Sequence, residues 1–576
     1  MTSYPKGTKS ETKQTLRPKK RRFHGNQYVF DVEDDEDMNA SSSSRKLADR
    51  SIEVIVSPLH YYRIIEFLTV FGALSDILCC KSCKQKVNFE ESGHRDLGFK
   101  IVVKCVCGYR EIQSGPFIRN AYEVNRQIVF VMRLLGIGNE GLNIFCGLMD
   151  MCQGLAESAY NSIVEHLYTA STKMFQEITK KAVTEKRNNN AENGRNKTHL
   201  KVSGDGSWKK RGFTSLFGLT TLIGYYTGKV IDLIVRSGYC HACTVNKKKY
   251  DDDEFLEWYE NHKDQCSCNH KGSTGKMEVD SITEMFIRSE EKHGVKYVNY
   301  IGDRDSKMFA GILKINPYGD DCPVTKNECV GHVQKRMDSQ LRNIKKKEKL
   351  GGKNRLTEAL IKKLTIFYGL AIRRHVNSVT DIRKAIFATL NHYCSSDESP
   401  RHDNCPPGAD SWCKWRQAES RNELATYKHE DQVIDNNIEK HLRPIYEKLS
   451  TEDLLTRCLG RTQNSNESFN ATVWRLNPKH LNSGIKIVEL SAYIAAGIFN
   501  EGYSSLLMIM QLLGLKIGQQ CKMFADNVDN RRVARQDKRH SLSSKEARTT
   551  RRMEKMHANE LYEEEEGLMY GAEIAD

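Results

Sequence analysis

"HLKVSGDGSWKKRGFTSLFGLTTLIGYYTGKVIDLIVRSGYC", residues 199–240, is where the hydrophobic period of this chain changes. Before it, apolar residues recur at helical spacing. Within it, the runs Leu200–Ser203, Ser215–Tyr226 and Lys229–Ser237 are separated by glycine turns, which predicts a three-stranded β-meander. Asp205 sits just past the first run, where a strand end can offer a carboxylate to a metal.

The segments that follow extend the pattern. "KMEVDSITEMFIRSEEKHG" (276–294) has helical periodicity, and "VKYVNYIGDRDSK" (295–307) reads as a buried strand ending in Asp303 and Asp305. Three antiparallel strands, a helix and a further strand ending in an acid is the order of a ribonuclease-H-like α/β core. Such a core needs a third carboxylate from a later helix. "GRTQNSNESFNATVWRLNPKH" (460–480) offers one, Glu467, among amides and hydroxyls, with Arg461, Arg475, Lys479 and His480 around it. Attack on a phosphodiester calls for two Mg2+ ions about 3.5–4 Å apart, and Mg2+ takes carboxylate oxygens. An Asp at a strand end is more commonly a turn former, so no one acid carries this reading alone. Glu278, on the helix between the first two acids, is the alternative to Glu467 in a nuclease of the same fold.

Composition sets the partner. The chain has 576 residues, enough for several domains, and a hydrophobic fraction of 39% permits real cores. Its formal charge of +14 favours a polyanionic partner, with nucleic acid ahead of a membrane surface. No apolar run has the length of a membrane span and no signal peptide opens the sequence, so an intracellular protein is expected. Its 18 cysteines should then be thiols or metal ligands.

Residues 1–50 are polar and basic and read as a disordered tail, with "RPKKRRF" (17–23) as a nuclear-import or nucleic-acid patch. Residues 51–115 contain Cys80, Cys83, Cys105 and Cys107, two paired-thiolate knuckles with the spacing of a four-cysteine zinc ribbon. The motif recurs at Cys240, Cys243, Cys266 and Cys268, within an insert at 240–270, where His262 and His270 are competing ligands. Residues 116–195 are helical, with short helices around "GIG" (136–138) that could form a helix-turn-helix, and "EKRNNNAENGRNK" (185–197) reads as a linker. The core is then expected at 196–335 and 456–525, an all-α insertion at 336–455, and a charged tail at 526–576.

In this order the chain carries "SGDGSW", "TGKVIDL", "YCHAC", "GSTGKMEV", "YIGDRDSK", "ECVGHVQKRM", "FYGLAIRR", "CPPGADSWCKW" and "GRTQNSNESFNATVW". The combination resembles the Mutator-like transposases of animal genomes over roughly residues 50–530. The resemblance implies a DDE-type DNA transposase whose ribonuclease-H-like domain is interrupted by a helical insertion before its last acid. It implies Asp205, Asp303 and Glu467 as catalytic ligands of Mg2+ or Mn2+, with Asp305 as the fallback for the second position. Arg304 stands where relatives usually carry glycine, which keeps a domesticated, non-catalytic DNA-binding or chromatin-associated descendant as the alternative. Also implied are double-stranded DNA as partner, at transposon ends and target, a homodimer or larger assembly, and a nuclear location. Cys329 and His332 in "ECVGHVQKRM" correspond to a pair associated with the active-site region of related transposases. His402, Cys405 and Cys413, with His392 nearby, suggest a third zinc cluster, and Trp412 and Trp415 suit a core or DNA-stacking role.

Overall fold

The computed structural model describes residues 41–48, 52–119, 121–210, 215–302, 306–352, 355–409, 411–429, 434–459 and 463–540. The basic run 17–23, Asp303, Arg304, Asp305, Arg461 and the chain after residue 540 lie outside the described residues.

A short helix, α1 (Ser42–Leu47), and an apolar helix, α2 (Phe67–Ile77), precede a three-stranded antiparallel sheet of β1 (Asn88–Arg95), β2 (Gly98–Cys105) and β3 (Gly108–Gln113). Helices α3 (Glu123–Leu134) and α4 (Asn139–Leu148) meet at a 114° bend. The 36-residue helix α5 (Glu157–Glu192) then leads into the main sheet.

That sheet contains β4 (His199–Trp208), β5 (Phe217–Gly224), β6 (Val230–Ser237), β7 (Lys296–Gly302) and β8 (Thr325–Glu328), ordered β8-β7-β4-β5-β6. The first three strands are antiparallel, whereas β7 runs parallel to both β4 and β8. Between β6 and β7 lie α6 (His241–Lys249), α7 (Asp252–His262) and α8 (Thr274–Ile287), the last packed on β5 and β6. Every residue of β5 is buried, as expected of a strand covered on both faces.

After β8 the chain forms α9 (Val330–Lys347), α10 (Glu358–Arg374), α11 (Val379–Tyr393), α12 (Lys414–Ser420), α13 (Asn436–Leu449) and α14 (Glu452–Cys458). Leu341, Leu364, Ile386, Leu442 and Leu455 share an apolar core separate from those of the sheet. The chain then returns through α15 (Asn464–Leu476), α16 (Ile485–Glu501), α17 (Ser504–Leu512) and α18 (Gln519–His540). Helix α15 lies over β4 and β5, while α5 and α16 pack together and cover β6. Buried residues of α3, α4 and α5 merge with those of α16 and α17 into one core. The helical region before the sheet is therefore part of the sheet's own support. Among the described residues, no single helix is long and apolar enough to cross a membrane.

Three local readings change. Strand β4 continues through "GDGSW" to Trp208, because each residue from Val202 to Trp208 has a partner on β5, so Asp205 lies inside the strand opposite Thr221. The stretch read as a linker is helical to Glu192, because Lys186 and Asn190 are buried. Lys186 Nζ stands 4.6 Å from the Tyr226 ring, and Asn190 donates to the carbonyls of Asn196 and His199. Burial, helped by Arg195 and Lys201, brings the Lys186 pKa down to about 7. Residues 42–47, inside the expected tail, form a helix capped by Ser41, with Lys46 3.4 Å over the Phe499 ring.

Candidate active site and cysteine clusters

Side chains alternate across β4 as the pleat requires. Gly204 and Gly206 face α8 and β7, where a Cβ on Gly204 would lie 2.5 Å from the Tyr300 ring and one on Gly206 2.3 Å from Glu278 Oε1. The buried Tyr300 ring leaves no room for a Cβ at Gly204, and at Gly206 the Glu278 side chain would have to give way to one. Ser203, Asp205 and Ser207 project from the other face, toward α15.

Helix α15 meets that face with a regular ladder. Ser203 Oγ donates to Asn466 Oδ1 at 2.8 Å, Asn470 Nδ2 to Asp205 Oδ2 at 2.8 Å, and Trp474 Nε1 to Ser207 Oγ at 2.7 Å. Gln463 Nε2 adds a 2.8 Å bond to the carbonyl of Gly204. The spacing has a simple origin. Four helical residues rise about 6 Å and two strand residues about 6.6 Å, so positions i, i+4 on the helix keep step with i, i+2 on the strand. Beyond the ladder, Lys209 Nζ reaches Asn477 Oδ1 at 3.3 Å and also Ser483 Oγ. Burial first, then Arg133 and Lys210, lower the Lys209 pKa to about 8.

Glu467 follows Asn466 on the flank of this stripe and is exposed, in the first turn of α15, where the helix dipole favours an anion. Glu278 packs against Gly206 from the α8 side, so Asp205 and Glu278 approach β4 from opposite faces. The register of β7 with β4 ends at Ile301 opposite Ser203, two residues before Asp205 on one strand and two before Asp303 on the other.

Cys329 follows β8 and precedes α9, and Glu328 is the register partner of Gly302. The thiol is buried, which pushes its pKa up. Hydrogen bonding from the His332 side chain and backbone outweighs this and leaves it below the ordinary thiol range. Arg336, one helical turn on, pairs with the buried Glu328.

Three groups of cysteines and histidines bring four ligand atoms within 4.8 Å of one another. Around a tetrahedral Zn2+ the ligand atoms would stand about 3.3–3.8 Å apart, from the usual Zn–N and Zn–S distances. The first group is Cys80, Cys83, Cys105 and Cys107, with Cys80 Sγ and Cys107 Sγ 3.5 Å apart. The second is Cys240, Cys243, His262 and Cys266. Its Cys243–Cys266 separation is 3.5 Å, and Cys240 Sγ is 3.2 Å from His262 Nε2. His262 takes the place expected of Cys268, whose thiol lies 3.5 Å from the carbonyl of His270 in its own loop. His270 itself faces Asp280 at 3.5 Å. Thiolate and imidazole donors of this kind could hold zinc. The third group is His392, His402, Cys405 and Cys413. Trp415 stacks on His402, and Trp412 lies between His392 and Phe367.

The sequence reading did not single out Gln463, Asn466 or Asn470. Their signal was present as Asn466, Asn470 and Trp474 at four-residue spacing.

Comparison with curated proteins gives no match. The family description "Mutator-like transposase" matches residues 61–413, more than half of the chain, which runs from the ribbon through the sheet into the helical unit. On that match this protein belongs to the Mutator-like transposase family.

Proposed function

We propose that this protein is a DDE-type DNA transposase that performs metal-dependent cut-and-paste cleavage and strand transfer at transposon ends in the nucleus. A ribonuclease-H-like core is supported by the strand order and directions: three antiparallel strands, then two parallel ones beside the first. The helical unit at 330–458 corresponds to an insertion before the last acid. The observation that carries the reading is the Asn470–Asp205 bond, which joins "GDGSW" to the helix bearing Glu467.

Asp205 and Glu467, together with Asp303 outside the described residues, would hold Mg2+ or Mn2+. Carboxylate oxygens suit these hard cations, and the Asn470 amide orients Asp205 as outer-shell partners orient metal-bound carboxylates. When bound, the metal activates the attacking oxygen and neutralises the leaving one. The chain's own part is to fix these acids on a buried strand and a packed helix. Its surplus of cations, a formal net charge of +14, grips the flanking phosphates of the DNA duplex. The first two cysteine groups hold structural Zn2+, since four protein ligands leave no open position for a reacting water. A homodimer or larger assembly would bring two ends together.

The test is cleavage of DNA carrying the element's ends with Mg2+ present. Asp205→Asn should abolish cleavage and strand transfer while leaving DNA binding intact. Equal cleavage by this variant would overturn the reading. Arg304, at a position where relatives usually carry glycine, favours the second reading, a domesticated DNA-binding protein; wild-type binding without cleavage would support it.

A further inference from the structure

We propose that His392, His402, Cys405 and Cys413 form a third, structural Zn2+ site in the helical unit, and that His429 and Asp397 are its outer-shell relay. His402 Nδ1 is the centre of the group. It stands 3.3 Å from His392 Nδ1, 3.4 Å from Cys413 Sγ and 3.8 Å from Cys405 Sγ. The edges of a zinc tetrahedron with two nitrogens and two sulfurs are about 3.3 Å for N–N and about 3.6 Å for N–S, so all three separations match. His402, Cys405 and Cys413 are no more than 3% exposed, which leaves these soft donors little access to water.

The second ring nitrogen of His402 completes the argument. His402 Nε2 lies 2.9 Å from His429 Nε2 and 2.8 Å from Ser395 Oγ. His429 Nδ1 in turn lies 2.6 Å from Asp397 Oδ1. One proton assignment satisfies the whole chain. Asp397 accepts from Nδ1–H of His429, and Nε2 of His429 accepts from Nε2–H of His402. His402 Nδ1 then keeps its lone pair for the metal. A carboxylate that fixes the tautomer of a zinc-bound histidine is the usual outer-shell arrangement, here extended by one imidazole.

The site has a mechanical purpose. Between α11 and α13, the described residues of 394–435 have little regular structure apart from the seven-residue α12 and a single 3-10 turn at Leu424–Thr426. His392 belongs to the last turn of α11, while the other three ligands belong to the excursion. A metal among them would staple the excursion to the helices. It would also set Trp412 against Phe367 of α10 and Trp415 against His402.

The experiment uses the full-length protein. Metal analysis should show that the double variant Cys405→Ser/Cys413→Ser carries one zinc per chain fewer than the wild type; an unchanged count overturns the site. Should the variant fail to fold, wild-type Cys405 and Cys413 can be followed by alkylation and mass spectrometry with and without a chelator. Protection that disappears on chelation supports the site. Protection that persists unchanged, or labelling before the chelator is added, overturns it. His429→Ala should expose Cys413 to alkylation at a chelator concentration about 10–100-fold lower than wild type requires. The same midpoint as wild type overturns the relay.

Discussion

Asn470 donates a 2.8 Å hydrogen bond to Asp205 across 265 residues of sequence. The helical unit lies in between, yet α15 and β4 meet in register, amide against carboxylate and indole against hydroxyl. The contact therefore aims one acid from a neighbouring element. Asn470→Ala should leave the protein folded and lower metal-dependent cleavage by about 10–100-fold, with the metal concentration for half-maximal activity raised. Metal titration of cleavage checks this; an unchanged titration curve would show that Asp205 is aimed by something else.

Gly206 should not tolerate a side chain. A Cβ there would meet the Glu278 carboxylate at 2.3 Å and its Cγ at 2.8 Å, so the buried Glu278 side chain would have to move aside. Gly206→Ala should cost about 1–3 kcal/mol, the range for overpacking a filled core. Gly275→Ala is the control, because nothing lies within 4 Å of the added atom in the first turn of α8. Denaturant melts of the two variants should differ, with Gly275→Ala at or slightly above wild type.

DNA binding should weaken linearly on a log–log plot against salt, because each phosphate contact releases counterions. Lys81, Lys84 and Arg110 are exposed around the thiols of the ribbon. Replacing all three with Ala should reduce the slope by up to about 0.9 per lost contact. Deleting residues 1–200 is the poorer test of the same idea, since α3, α4 and α5 share a core with α16 and α17. Wild-type slope in the triple variant would move the DNA surface off the ribbon.

What the sequence made legible follows its local signals. Glycine-punctuated β-branched runs announced β4, β5 and β6, and thiol spacing announced the first ligand group. Turn-forming residues hid the rest. "GDGSW" reads as a loop until β5 pairs with it, and Lys186 and Asn190 read as linker until Tyr226 and the Asn196 and His199 carbonyls surround them. The place of His262 in the second group could not be read from spacing, because α7 carries it to the thiols. Nor did the chain order reveal that Asn466 and Asn470 work on β4, although their four-residue step is the one a strand demands.

Glu467 is the residue on which the catalytic reading turns. It is exposed in the first turn of α15, beside the stripe that holds Asp205, with Arg475 and Lys479 further along the sequence. If it served only to balance such cations, Glu467→Gln would matter little, because exposed ion pairs contribute about 0–1 kcal/mol. If it completes the metal site with Asp205 and Asp303, the same change keeps the shape and removes the charge that attracts the ion. The expected result is a protein that melts and binds DNA like wild type but no longer cleaves or joins DNA with Mg2+. Paired cleavage and gel-shift assays separate the two roles. Cleavage within a few-fold of wild type would remove Glu467 from the metal site, and Glu278 could not replace it there, because it packs on the opposite face of β4 from the Asp205 carboxylate. The ladder beneath Glu467 makes the first outcome the expected one, since Asn466 and Asn470 flank it and both already grip the strand of Asp205.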